Sequence, residues 1–191
     1  MMCFFNKRLG QLSYLGSALV LVGSMTACNQ KYFISNSEFK PVATVQEVMN
    51  SIIDPNIDPI WNSVSSVSTP KGTEERKPET DDDWRVLRQH ALAVIEAGNL
   101  LLVKDRPISV VSATTSSGGA ELTSEAIKTL IAANQAAYIE RIHELQGAAQ
   151  GLLVAIDAKN VQELEDAGGR VEQACEQCHS QFWYPGDNKP K

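Results

Sequence analysis

The sequence lacks several features that would assign it to common functional classes. It has no cluster of lysine and arginine, and its 191 residues carry a formal charge of −6, so a nucleic acid is not expected as a partner. It has no catalytic Ser/His/Asp or Cys/His arrangement, no glycine-rich phosphate loop and no convincing pair of carboxylates, which argues against an enzyme. It also lacks long strand-like alternation, so helices are expected to dominate the fold.

A short apolar run near the N-terminus predicts export rather than a membrane-spanning helix. Lys7 and Arg8 precede the apolar residues 12–23, and small residues follow up to Cys28. This order is that of a signal peptide, and the run is shorter than the roughly 18 to 20 residues that span a bilayer. The segment "MTAC" is similar to the lipobox of bacterial lipoproteins, although Met25 stands where the box usually has leucine.

The lipobox resemblance implies cleavage before Cys28 and lipidation of its thiol. Residues 1–27 would then be the signal peptide, residues 28–40 the lipidated N-terminus and tether, and residues 41–191 the folded domain. The lipid on Cys28 would anchor the protein to a membrane, with the domain in the periplasm. An ordinary cleaved signal and an uncleaved anchor are the alternatives.

Apolar residues recur at intervals of three and four in four segments, which predicts an all-α protein built as an antiparallel four-helix bundle. The stripe of the first segment comprises Val42, Val45, Met49, Ile52, Ile60, Trp61, Val64 and Val67. Pro55 and Pro59 are expected to force the aspartates before them out of helical geometry, so this helix is predicted to be broken. A charged connection, "KGTEERKPETDDD", follows it.

The other three helices are predicted to be continuous. The second begins after Thr80, with Asp83 in its first turn, and its stripe is Trp84, Leu87, Ala91, Val94, Gly98 and Leu101. The third is long, begins at Thr123 or Ser124, and has the stripe Ile127, Ile131, Tyr138, Ile142, Leu145, Ala149, Leu152 and Ile156. The fourth begins after Asn160, and its stripe is Val161, Leu164, Gly168, Val171, Cys175, Cys178 and Phe182.

The fourth helix carries "CEQCH", in which His179 directly follows Cys178. Both thiols fall on the apolar stripe, and His179 lies one turn above Cys175. Because Cys3 leaves with the signal peptide and Cys28 would carry lipid, no framework of several disulfides is possible. C-x-x-C-H is the attachment motif of c-type haem, whose vinyl groups bond to the thiols and whose iron binds the histidine. Attachment occurs outside the cytoplasm, so the export signal favours this interpretation.

Three other uses of the two cysteines remain open from the residues alone. A redox dithiol favours a helix N-terminus, whereas this pair lies near the end of its helix, flanked by Glu172 and Glu176. A structural zinc site needs four ligands and would require His90 or His143, because there is no second CxxC. A plain disulfide would leave His179 without a role.

A CxxCH motif near the C-terminus, on the last helix of a four-helix bundle, resembles the class II cytochromes c, the cytochrome c-prime group. Only "CEQCH" matches residue by residue. The resemblance implies one covalent haem c, with thioethers at Cys175 and Cys178 and with His179 as the proximal iron ligand. It also implies one of two distal arrangements: an apolar residue beside five-coordinate iron, or a methionine of the first helix as sixth ligand. Met49 is the only methionine after the signal region and is the candidate sixth ligand.

Met49 decides between two functions. As a ligand it would raise the reduction potential toward the range of a carrier, and as an ordinary core residue it would only fill space. His90 and His143 are the weaker candidate ligands. The expected function is one-electron transfer with an unidentified redox protein as partner, and the alternative is a five-coordinate haem that binds nitric oxide or carbon monoxide. The resemblance also allows a homodimer formed through the first two helices.

Overall fold

The computed structural model describes residues 40–110 and 121–186, which all fall in one folded unit, Ser35–Lys191. The predicted signal peptide, the lipidation site Cys28 and the tether up to residue 39 lie outside the described residues, and the domain limits stay predictions. Four helical segments pack side by side in the described part of the chain, which confirms the all-α bundle.

The first helical segment has three parts: α1 (Val45–Val48), a π-helical turn (Met49–Ile53) and α2 (Asp54–Ser63). Thr44 and Glu47 form a capping box at its start. The N–H groups of Val45 and Gln46 donate to the carbonyl oxygens of Pro107 and Ile108 at 2.8 and 3.0 Å. The loop after the second predicted helix therefore fixes where the first segment begins. Val42, predicted on its stripe, precedes the helix and is exposed.

The predicted break at the two prolines was wrong. Asp54 keeps α-helical angles (φ −57°, ψ −49°), and both Pro55 and Pro59 lie within α2. The π-helical turn accounts for Pro55, since the Asp54 N–H donates to the carbonyl of Met49, five residues back; Pro59 lies inside α2, beyond that turn. A wider turn of this kind removes the close approach between a proline ring and the carbonyl four residues before it. The helix therefore continues through Pro55 after widening for one turn.

A β-hairpin follows the first segment, where the sequence predicted the end of a helix and a loop. Strands β1 (Ser65–Thr69) and β2 (Gly72–Arg76) pair antiparallel, with Thr69 opposite Gly72. Gly72 has φ +129°, which side-chain-bearing residues rarely adopt. Val67 lies in β1 rather than in a helix, so its assignment to the first stripe was wrong. All of β2 is exposed, which explains why no apolar alternation marks it.

The remaining helices are α3 (Asp81–Leu101), α4 (Ser124–Ala133), α5 (Gln135–Asp157) and α6 (Val161–Phe182). The caps predicted at Thr80, Thr123 and Asn160 are confirmed, because each side chain accepts a backbone N–H of its first turn. The third predicted helix is divided at Asn134, whose angles (φ −131°, ψ 40°) leave the helical region. Backbone hydrogen bonds continue on both sides of Asn134, so α4 and α5 form one bent segment.

Helix α5 packs along both α3 and α6, and α2 packs on α3. The fully buried side chains of the core include Ile57, Ile60, Val94, Ile142, Leu152, Leu164, Val171 and Phe182. Helices α2 and α6 touch at few points. One of these points is the hydrogen bond from the Trp61 indole N–H to the Gly168 carbonyl, at 3.1 Å. A Cβ at Gly168 would lie 3.1 Å from the Trp61 ring, so the glycine permits this close approach.

Among residues 40–110 and 121–186, none of the helices combines the length and the apolar character needed to cross a bilayer.

Two glycines on facing helices provide a matched test of the bundle. A Cβ at Gly98 would lie 2.5 Å from Cγ of Gln146, whose amide is fixed by hydrogen bonds to Ile95 and Asn99. A Cβ at Gly147 meets nothing within 4 Å. We expect Gly147→Ala to raise the free energy of unfolding by about 0.5 to 1 kcal/mol, and Gly98→Ala to lower it by about 1 kcal/mol because overpacking outweighs the gain in helix propensity. Urea denaturation measures both, and a Gly98 variant as stable as the Gly147 variant would contradict the packing.

Candidate functional site

The C-terminal half of α6 presents the CxxCH residues toward the bundle. Cys175, Cys178 and His179 are each half-buried, and both cysteines are free thiols packed against the core. The neighbouring stripe residues Val171, Ala174 and Phe182 are buried. The helical spacing of "CEQCH" therefore brings two thiols and one imidazole to the inner side of one helix end.

A cavity of about 200 Å³ lies between the π-helical turn, the residues just before α4 and the end of α6. Its lining includes Met49, Asn50, Asp54, Glu121, His179 and Trp183. The two residues predicted as axial ligands thus line the same cavity from different elements, which the sequence could not establish. His90 and His143 do not line it.

The π-helical turn determines which side chains of the first segment enter this cavity. Residues five apart share a face in a π-helical turn, and Met49 and Asp54 both line the cavity. Asn56 supports the turn: its amide Nδ2 donates to the Ile52 carbonyl at 2.7 Å, and its Oδ1 lies 2.8 Å from Nδ1 of His90. His90 therefore supports the first segment from α3 and does not face His179 across the cavity.

Backbone contacts hold the end of α6 over the cavity. The N–H groups of Trp183 and Tyr184 donate to the His179 carbonyl at 2.8 and 3.0 Å, and the Leu122 N–H donates to the Trp183 carbonyl at 2.8 Å. The ring of Trp183 lies 5.7 Å from the imidazole of His179, centroid to centroid, and that of Tyr184 lies 6.2 Å away. These two aromatic rings cover one side of the imidazole.

Burial controls the protonation of the CxxCH residues. It raises the pKa of the Cys175 thiol to about 11, with a further contribution from Asp54, and that of Cys178 to about 12. Burial also lowers the pKa of His179, against the opposing effects of Glu176, Asp54 and Glu121. The imidazole is therefore neutral at neutral pH, and a neutral imidazole is the form that binds a metal.

Cys178 lies beside a contact between α5 and α6. Arg141 pairs with Glu144 at 2.8 Å and donates to the Gln177 amide oxygen at 3.0 Å. On the core side, Tyr138 meets Phe182 edge to face, with ring centroids 5.5 Å apart. The second thiol is thus influenced by charges on α5, whereas Asp54 of the first helical segment acts on the first thiol.

The other uses of the cysteines receive no support from the described residues. In that part of the chain, no three His, Cys, Asp or Glu side chains converge as metal ligands would, and His143 is exposed. Cys175 and Cys178 form no disulfide with each other. The thiol pKa values are raised, whereas a reactive redox dithiol needs a lowered one.

The donor set fits a covalently attached haem. Two thiols three residues apart, a neutral imidazole next to Cys178 and a thioether sulfur on the cavity that the imidazole lines are the groups that such a centre uses, although neither thiol lines that cavity. The cavity is smaller than the roughly 300 to 1,000 Å³ of pockets that hold ligands of this size. Attachment would therefore have to separate the π-helical turn from the end of α6. These two elements make few direct contacts with each other and are held in place mainly by the elements around them.

Sequence reasoning predicted only Met49 and His179 among the residues that line the cavity, and Asp54, Glu121 and Trp183 are among those it missed. Asp54 was interpreted as a residue displaced by Pro55, and Glu121 falls in a loop without a motif. Trp183 follows the last stripe residue Phe182 and has no motif of its own, yet it is buried and lines the cavity beside His179. The spacing of five residues between Met49 and Asp54 indicates a shared face only when the turn between them is known to be π-helical.

Comparison with known proteins gives one match. Residues 112–183 match the family model described as Cytochrome C', and this match includes α4, α5 and the part of α6 that carries "CEQCH". No curated protein and no solved structure matches the chain significantly.

The raised thiol pKa values predict slow alkylation in the haem-free chain. At neutral pH a pKa near 11 lowers the thiolate fraction of Cys175 about a hundredfold relative to an ordinary thiol. Iodoacetamide labelling, read by peptide mass mapping, should therefore rise with pH well beyond pH 9 in the native chain. In the urea-unfolded chain, which serves as the control, the rate should level off near pH 9 to 10. Equal rates in both states at pH 7 would contradict the burial of the thiols.

Proposed function

Since this chain belongs to the cytochrome c-prime group of class II cytochromes, which are haem c proteins, we propose that it carries one electron at a time at the periplasmic side of a membrane. We further propose one haem per chain, attached at Cys175 and Cys178, with His179 and Met49 as axial ligands. The role is that of a carrier rather than an enzyme.

The observation that carries this proposal is the shared cavity of Met49 and His179. Met49 belongs to the first helical segment and His179 to the last, and the cavity lies between these segments. Met49 is half-buried and packs partly against the core, and it also lines the cavity that His179 lines, which a residue used only for core packing need not do. Methionine and histidine together favour a raised potential and a closed coordination sphere, as a carrier requires.

When bound, haem c supplies the one-electron couple between ferric and ferrous iron. The residues of this chain do the rest. Cys175 and Cys178 hold the group at one end of α6, and burial keeps His179 in the neutral form that binds iron. Trp183 and Tyr184 cover the imidazole and limit the access of water to it. Met49 would close the opposite coordination position.

We propose the location from the N-terminal sequence and the kind of partner from the haem function and the charge of the chain. The signal-like residues 1–27 and the lipobox-like "MTAC" favour export and a lipid anchor at Cys28. The partner would be another redox protein, and the charge of −6 makes a nucleic acid unsuitable. A homodimer through the first two helical segments is compatible with the proposal.

Mass spectrometry tests the attachment. The exported full chain, produced in a host that attaches haem, should gain the mass of one haem, and the gain should survive denaturation because the bonds are covalent. Cys175→Ala and Cys178→Ala should each leave one bond, and the double variant none. His90→Gln is the control and should keep the full gain. A wild-type chain without covalent haem would overturn the proposed function.

Absorption spectroscopy tests Met49. The wild type should give the sharp reduced spectrum of low-spin iron and, when oxidised, the weak red band of methionine ligation. Met49→Leu should remove that band, make the iron five-coordinate and strengthen carbon monoxide binding at least tenfold, since no ligand competes. Ile52→Leu, in the same π-helical turn, is the control.

A different outcome would favour the second candidate function. If the wild type is five-coordinate and Met49→Leu changes neither its spectrum nor its gas affinity, Met49 is not a ligand. The binding of nitric oxide or carbon monoxide would then replace electron transfer as the function of the site.

A further inference from the structure

Asp54 is the charged residue that the first helical segment brings to the cavity. Its backbone N–H donates to the Met49 carbonyl, and its side chain lines the cavity together with Met49 and His179. The carboxylate is exposed toward solvent on its outer side, so it lies at the mouth of the cavity. A group bound between Met49 and His179 would have this carboxylate at its edge.

The negative charge of Asp54 is not neutralised by a nearby cation. None of the ion pairs among the described residues includes Asp54, and the cavity lining contains no lysine or arginine. Burial and the neighbouring Asp58 both raise the pKa of Asp54, which is the effect of an uncompensated charge. Asp54 also interacts electrostatically with His179 and with the Cys175 thiol.

Two other carboxylates act on His179 from different positions. Glu176 lies on the exposed side of α6, where it accepts a hydrogen bond from the Tyr184 hydroxyl at 2.9 Å. Glu121 lines the cavity from the residues just before α4. Asp54 differs from both because it shares its helical segment with the candidate sixth ligand Met49.

We propose that Asp54 sets the reduction potential of the haem iron, because its fixed negative charge beside Met49 and His179 stabilises the ferric state. The inference rests on the proposed haem function. Ferric iron that accepts one electron from a redox protein loses one unit of positive charge, and no bond forms or breaks. An adjacent carboxylate opposes that change and lowers the potential. Asp54 thus acts on the iron through its negative charge and does not ligate it.

The size of the effect follows from Coulomb's law with screening by solvent. For a partly exposed carboxylate that lines the same cavity as Met49 and His179, neutralisation should favour reduction about three- to fivefold, which is about 30 to 40 mV for a one-electron couple. The shift should decrease as salt is added, because solvent ions screen an exposed charge.

Potentiometric titration of the haem-loaded full chain tests the proposal. Asp54→Asn should raise the midpoint potential by this amount, and Asp54→Glu, which keeps the charge, should leave it close to the wild-type value. Asp58→Asn is the matched control: Asp58 is an exposed aspartate of the same helix that does not line the cavity. Its shift should be less than half that of Asp54→Asn. The absorption spectra must stay unchanged, so that a shift reports charge rather than loss of Met49.

The outcomes separate this inference from the function on which it rests. A midpoint potential unchanged or lowered in Asp54→Asn, or raised equally in Asp58→Asn, would overturn the role of Asp54 while leaving the haem protein intact. A wild-type chain without covalent haem would overturn the proposed function and the inference together. Should Asp54→Asn fail to load haem, a wild-type potential that is insensitive to salt would contradict an exposed charge as its determinant.

Discussion

Proline has no backbone N–H, and the first helical segment has to pass through Pro55 without the hydrogen bond that an α-helix requires there. The chain widens to a π-helical turn just before the proline, and Asn56 donates its side-chain amide to the Ile52 carbonyl. This turn places Met49 and Asp54 on one face, opposite His179. Which side chains line the cavity therefore depends on the backbone hydrogen bond that Pro55 cannot donate.

The bundle leaves a cavity between the first helical segment and α6, in addition to a larger one of about 710 Å³ between the loop after α3 and the α4–α5 segment. Helix α5 packs against both α3 and α6, whereas α2 and α6 meet mainly where Trp61 contacts Gly168. The cavity lies nearer the other end of the same two segments, between the π-helical turn and the end of α6. The first helical segment and the end of α6, which make few direct contacts, are thus the parts that would separate to admit a haem, while α6 keeps its packing against α5.

Local signals predicted much of this structure. The caps at Thr80, Thr123 and Asn160 and the stripes of α3, α5 and α6 are confirmed, because they depend on residues within one helix. The hairpin was missed because its second strand is exposed, and the bend at Asn134 because the apolar stripe continues across it. For the site, the motif "CEQCH" indicated its own chemistry. The positions of Asp54 and Trp183 depend on how segments distant in the sequence pack together. The spacing of residues along the chain does not reveal that packing.

A π-helical turn holds one residue more than the α-helical turn it replaces. The register between Met49 and α2 therefore depends on how many residues the turn contains and not only on which residues they are. Loss of one residue from Met49–Ile53 would restore α-helical spacing and leave α1 and α2 close to their present relative orientation, because the turn accommodates the extra residue locally. The set of side chains that this segment presents to the cavity is thus sensitive to the number of residues in the turn as well as to their type.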